Sequence, residues 1–113
     1  MSADFDAAFA ALREALLRAA PCMMVARDLP GDLMLQTPEI DPKTGAHAFF
    51  ASVTTKKAYV AFHLMPLYYQ PDLLEGLTPE LERRRQGKTC FDFKRPAPLL
   101  FAELEALAGR VTA

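Results

Sequence analysis

The residue patterns of the common active sites are missing from this chain. It has no Gly-x-Ser-x-Gly elbow, no Walker loop, no Rossmann glycine set and no His-Glu-x-x-His, which excludes the usual hydrolase, nucleotidase and metalloprotease chemistries. Gly87-Lys88-Thr89 ends like a phosphate loop, but the upstream glycine is missing and a strand rather than a helix is predicted to follow. Cysteine is scarce: Cys22 and Cys90 lie far apart, without the spacing of a zinc knuckle or a redox pair. They read as reduced thiols, and a cytoplasmic location is expected. Neither sign of charge dominates; the net charge of −1 creates no global attraction to nucleic acid or to anionic membrane. No apolar run approaches the length of a membrane span, and the start Ser2-Ala3-Asp4-Phe5-Asp6 lacks the basic-then-apolar order of a signal peptide. Repeats and low-complexity segments are absent too, and no cofactor is expected.

What is present is an ordinary globular composition. The chain has 113 residues, 51% apolar and 24% charged, enough for one domain over 1–113 with a single core. Its heaviest apolar stretch runs from Lys57 to Tyr69 and reads as a central strand, with Pro66 ending the ladder. Ahead of it, Phe5, Phe9, Leu12 and Leu16 recur at helical spacing over 4–20, with Ser2 as N-cap and Pro21 as stop. Residues 22–27 and 32–37 then form a hairpin around Pro30-Gly31, followed by a polar loop over 38–46 and a strand over 46–55. After the central strand, Pro71 opens a short helix to Leu77. Thr78-Pro79-Glu80 restarts one that carries Arg83, Arg84 and Arg85 at its end and Gly87 as C′ stop. A fifth strand over 89–93 and a helix over 98–110, with Leu100, Leu104, Leu107 and Val111 on one face, complete the chain. The order α-β-β-β-β-α-β-α predicts a two-layer α+β architecture, in which about five strands form a mainly antiparallel sheet with helices packed on one face. Which edge the fifth strand joins is left open.

Candidate chemistry is thin. His63, inside the apolar strand, is expected to be half-buried and hydrogen-bonded to backbone or tyrosine, since no acid or nucleophile sits at motif spacing. His47, His63, Cys22 and Cys90 are the scattered residues a metal site would have to gather. Lys88 and Lys94 flank Cys90 and would favour its thiolate. The basic cluster Arg83, Arg84, Arg85, Lys88, Lys94 and Arg95 lies beside Phe91 and Phe93, but strand alternation turns those rings to the core, so nucleic acid is not the expected partner.

If Val60, Phe62 and Leu64 face the helices, a period of two sends Tyr59, Ala61, His63 and Met65 to the other face, where Cys90 and Asp92 join them. Phe50, Ser52 and Thr54 follow if Phe49, Ala51 and Val53 point inward. This mixed surface, with Tyr68 and Tyr69 as a rim, suits a small-molecule or peptide groove or a homodimer interface. The candidate site residues are therefore Tyr59, His63, Met65, Tyr68, Cys90 and Asp92. A binding or interaction module is expected rather than an enzyme, and no membrane partner.

The segments 56–68 and 87–94 resemble the small bacterial proteins of the YdhG-like domain-of-unknown-function family. That resemblance implies the same α+β element order and brings no catalytic residue. Some members carry a frataxin-like iron-chaperone label, which implies metal binding as an alternative function; a small enzyme using His63 or Cys90 is a second alternative. The acidic surface such a chaperone would need is sparse here, since the first helix offers Asp4, Asp6 and Glu14 against Arg13 and Arg18.

Overall fold

The computed structural model describes residues 3–111; the N-cap expected at Ser2 lies outside them. Helix α1, Ala3–Ala19, is followed by strands β1, Met24–Leu29, β2, Asp32–Ile40, β3, His47–Thr55, and β4, Val60–Leu64. Two 3-10 turns, Met65–Tyr68 and Pro71–Leu74, lead to a one-turn helix α2, Pro79–Glu82. Strands β5, Arg85–Gln86, and β6, Cys90–Phe93, then precede helix α3, Pro98–Val111. The strands form one sheet in the order β1-β2-β3-β4-β6-β5, with every pairing antiparallel. The α+β architecture with an antiparallel sheet is as expected, and the late strand joins β4. Among the described residues no helix is long and apolar enough to cross a membrane.

The helical layer forms because α1 and α3 each bury one stripe. Ala8, Leu12, Ala15 and Leu16 of α1 and Phe101, Leu104, Leu107 and Ala108 of α3 are buried. All of these but Ala15 meet Leu33, Leu35, Ala51, Val53, Val60, Phe62, Leu64, Phe91 and Phe93 of the sheet in one core. Phe93 and Phe101 pack edge to face, with centroids 4.8 Å apart, a favoured arrangement of ring quadrupoles. Phe5, Phe9, Leu100 and Val111 pack at the core's margin rather than within it, so the buried stripe of α3 takes in Phe101 and Ala108 beside Leu104 and Leu107. Two ion pairs orient α1: Arg13 forks onto both oxygens of Asp28 in β1 at 3.0 and 2.6 Å, and Arg18 reaches Glu105 of α3 at 2.8 Å.

Several boundaries differ from the sequence reading, each for a local reason. Gly31 adopts φ 73° in the two-residue loop between β1 and β2, as the Pro30-Gly31 turn requires, and its carbonyl accepts the N–H of Thr55 at 2.8 Å. A side chain there would meet Thr55 Cβ at 3.3 Å. Strand β2 runs through Pro38, which was expected in a loop. The proline is tolerated because β2 has outrun β1, whose pairing begins at Met24 opposite Gln36, and the β3 register is interrupted between Gln36 and Ile40. Strand β4 stops at Leu64, so Met65 starts the 3-10 turn instead of continuing the strand. The helix expected from Pro71 to Leu77 is only the 3-10 turn Pro71–Leu74. The next helix begins as expected, with Thr78 Oγ1 accepting the Leu81 N–H at 3.3 Å. It ends after one turn, because Arg85 and Gln86 pair with Phe91 and Cys90 as a sixth strand. Gly87, at φ 71°, is thus a hairpin residue and not a helix stop.

The largest correction concerns β3. Leu35 pairs with Ala51 but Gln36 pairs with Phe49, so Phe50 is an extra residue, a β-bulge. Phe50 and Ala51 are therefore both buried, and Phe49 turns to the opposite face. The expected Phe49-in, Phe50-out alternation is reversed there, while Ala51 and Val53 point inward and Ser52 and Thr54 outward as expected. A second bulge, at Ala26 of β1, lies opposite Leu35 and Met34, so both neighbours of β2 bend at one level. Replacing Phe62 by Ala should cost about 3–5 kcal/mol in denaturant melts, and Phe50→Ala a similar amount. Phe49→Ala should cost less, about 1–2 kcal/mol; equal losses at Phe49 and Phe50 would contradict the bulge.

Candidate functional site

The register across β3, β4 and β6 sets two rows of side chains on the sheet face away from the helices. Ser52 pairs with His63 and His63 with Cys90; one step along, Thr54 pairs with Ala61 and Ala61 with Asp92. Alternation makes this face follow from the core, since Val53, Phe62 and Phe91, between the two rows, are all fully buried inward. The small Ala61 leaves a depression between its larger neighbours, a cavity of about 260 Å³. Its walls include Ser52, Thr54, Tyr59, His63, Cys90 and Asp92, with Lys56 and Gln86 at its margin. A second lobe of about 190 Å³ continues from it, sharing Tyr59, Gln86 and Asp92 and adding Arg83, Arg84 and Lys94.

Of the six candidate residues, the structure brings Tyr59, His63, Cys90 and Asp92 into one cavity. Met65 and Tyr68 are not among its walls: both belong to the 3-10 turn after β4, where Tyr68 packs edge to face on Tyr69 at 5.5 Å and lies under Lys88 Nζ at 5.4 Å. Gln86 and Lys56 were not singled out from sequence. Gln86 reaches the cavity through the hairpin that pairs it with Cys90, and the signal for it was the three-residue Gly87-Lys88-Thr89 spacing, a glycine-led hairpin loop.

The electrostatics are those of half-buried groups without internal partners. His63 packs its imidazole on Phe49, centroids 4.9 Å apart at 58°, instead of making the hydrogen bond expected for it. Burial lowers its pKa by disfavouring the imidazolium, and burial raises that of Asp92 by disfavouring the carboxylate. His63 and Asp92 stand in adjacent rows, opposite Cys90 and Ala61 respectively, and among the described residues no hydrogen bond joins them. Among the described residues no hydrogen bond or ion pair engages the side chains of Ser52, Thr54, Tyr59, Gln86 or Asp92. Cys90 has the Thr89 hydroxyl 3.9 Å from its sulfur.

The basic cluster disperses. Arg85 pairs with Glu82 and donates to the Gly87 carbonyl, and Arg83 lies 3.8 Å from Glu80. Lys88 is taken up by Tyr68, while Arg84 and Lys94 line the second lobe. Phe91 and Phe93 are core residues, as their alternation implied. Among the described residues no three of His, Cys, Asp and Glu gather as a metal site. His63 and Cys90 are register neighbours, but Cys22 is exposed after α1 and His47 opens β3 opposite Ile40.

A larger cavity, about 680 Å³, lies between α2 and α3 against Leu99 and Leu100. Of its polar lining, Glu103 accepts the Thr78 N–H at 2.9 Å and its hydroxyl at 2.7 Å and Glu80 faces Arg83, while Arg84, which also lines the second lobe, is shared between the two sites. Size favours that cleft, but uncommitted polar groups with shifted pKa values favour the sheet face, and recognition depends more on the latter. Compared with known protein families, with curated proteins and with solved structures, the chain finds no match.

The two shifted groups give opposite pH dependences. The unfolded chain takes up the His63 proton first as pH falls, so the stability due to its neutral form is complete above about 6.5 and is lost as pH falls through the lower folded value. Asp92 contributes below the ordinary carboxylate value of about 3.8, and its contribution is lost as pH rises through the raised folded value. His63→Asn should therefore flatten the decline of the urea midpoint between about pH 7 and about pH 5, and Asp92→Asn should raise the midpoint at neutral pH. A His63→Asn profile parallel to that of the wild type would contradict this assignment.

Proposed function

We propose that this protein is a non-catalytic binding module whose sheet face, centred on Tyr59, Ala61 and His63, receives a small molecule. What carries the reading is the pairing of a concave floor at Ala61 with walls whose polar side chains have no partner within the described residues. A solvated sheet face would carry fully exposed polar groups, whereas Ser52, Thr54, His63, Cys90 and Asp92 are all half-buried. Against an enzyme stands the lack, among the described residues, of a hydrogen bond between His63 and Asp92 that would orient a base with an acid. The kinship we propose, on residues 56–68 and 87–94, is with the YdhG-like proteins, and it supplies no catalytic group. A cytoplasmic location fits the two unpaired thiols, one of them exposed.

The test is a fragment screen by amide NMR on the wild type and on Ala61→Phe, which fills the floor. Binders should shift the amides of Ser52, Tyr59, His63 and Asp92 in the wild type and lose that response in the variant, with sedimentation mass unchanged. A wild-type mass of two chains that Ala61→Phe reduces to one would replace the ligand by a second copy. If no fragment moved those amides and the mass were that of one chain, the face would be an unoccupied surface.

A further inference from the structure

We infer that the two-lobed groove takes a small organic anion built on a flat ring, with the ring against Tyr59 and its carboxylate or phosphate toward Arg84 and Lys94. The inference rests on the binding reading above and adds the charge and shape of the ligand. Lys56 borders one lobe, and Arg83, Arg84 and Lys94 border the other, against Asp92 as the single carboxylate on either. The chain as a whole carries a net charge of −1, so this cationic bias is local and not a reflection of composition.

Among the described residues, three of these four cations are also left open to an anion, as Arg95 and Arg110 are outside the groove. Arg13, Arg18, Arg27 and Arg85 are each held by a carboxylate. Among the described residues no carboxylate engages Lys56, Arg84 or Lys94, and the nearest to Arg83 is at 3.8 Å. An unfilled guanidinium fork offers paired donors whose spacing matches a carboxylate or phosphate. Burial raises the pKa of Asp92, which eases loss of the one opposing charge. Tyr59 borders both lobes, so a ring lying on it places a short substituent in the basic lobe. Ser52, Thr54 and Gln86 remain as hydrogen-bonding partners. Lobes of about 260 and 190 Å³ suit one ring with a short arm and fall short of the space a peptide needs.

The test titrates the full chain with benzoate, phenyl phosphate, benzyl alcohol, benzylamine and inorganic phosphate, following amide NMR shifts. Benzoate and phenyl phosphate should move Tyr59, Gln86 and Asp92 and bind about three- to fivefold tighter than benzyl alcohol, an advantage that fades between about 20 and about 300 mM salt. The tighter of the two tells a carboxylate ligand from a phosphate one. An Arg84→Gln, Lys94→Gln double variant should lose the advantage yet keep the benzyl alcohol response, which also reports that it is folded. Benzyl alcohol or benzylamine binding the groove as well as the anions would overturn the charge assignment while leaving the binding reading intact. Inorganic phosphate binding as tightly as phenyl phosphate would overturn the role given to Tyr59. Shifts confined to Leu99 and Glu103 would move the anion to the cleft between α2 and α3, and silence from all five probes would remove the inference while the fragment screen above decides the binding reading.

Discussion

The buried row Val53, Phe62 and Phe91, one residue from each of β3, β4 and β6, is the constraint on which the rest of the molecule turns. These side chains are directly opposite one another in the ladder and fully buried, so they hold three strands in one register against α1 and α3. Because side chains alternate, a slip of one residue would move Ser52, His63 and Cys90 into the core and the hydrophobic row into water. The partly polar face is thus positioned by the apolar one. Its register is that of the core, although among the described residues no hydrogen bond ties the side chains of Ser52, Thr54, His63 and Asp92 to one another.

Where a pattern had one reading, the sequence was sufficient. The faces of β4 and β6, the helical stripes containing Leu12, Leu16 and Leu104, and the Thr78-Pro79 helix start all follow from spacing and residue chemistry. Phe49 and Phe50 had two readings, since adjacent identical residues leave alternation no way to choose, and the bulge that chooses depends on the Leu35–Ala51 pairing across the sheet. Arg85 and Gln86 were hidden for a different reason. A two-residue strand has no period, and its run of arginines satisfies a helix C-terminus equally well. Most of the first lobe was legible because it lies on alternating positions of β3, β4 and β6, with Tyr59 just ahead of β4; Gln86, Lys56 and the second lobe were not, because they are set by short turns that carry no period.

Charge is divided between two tasks. Arg13 and Arg18 link α1 to β1 and to α3 at the surface, where such pairs orient elements more than they stabilise them. Around Tyr59, Lys56, Arg84 and Lys94 have no carboxylate partner among the described residues, and the neighbouring Ser52, Thr54, His63 and Asp92 are partly withdrawn from water, so an interaction made beside them is less screened than on the open surface.

The bulge at Ala26 also bears on how the molecule meets its neighbours. Strand β1 is one edge of the sheet and is exposed along its length, a shape that elsewhere invites a second sheet to add on. Here the extra residue interrupts the row of free amides, and Arg27 and Asp28, held by Asp32 and Arg13, place charge beside it. The opposite edge, β5, is two residues long, too short to template a ladder. With both edges blunted the sheet resists growth into filaments, and crowding in a cell would press copies of this chain together without giving them a strand to share.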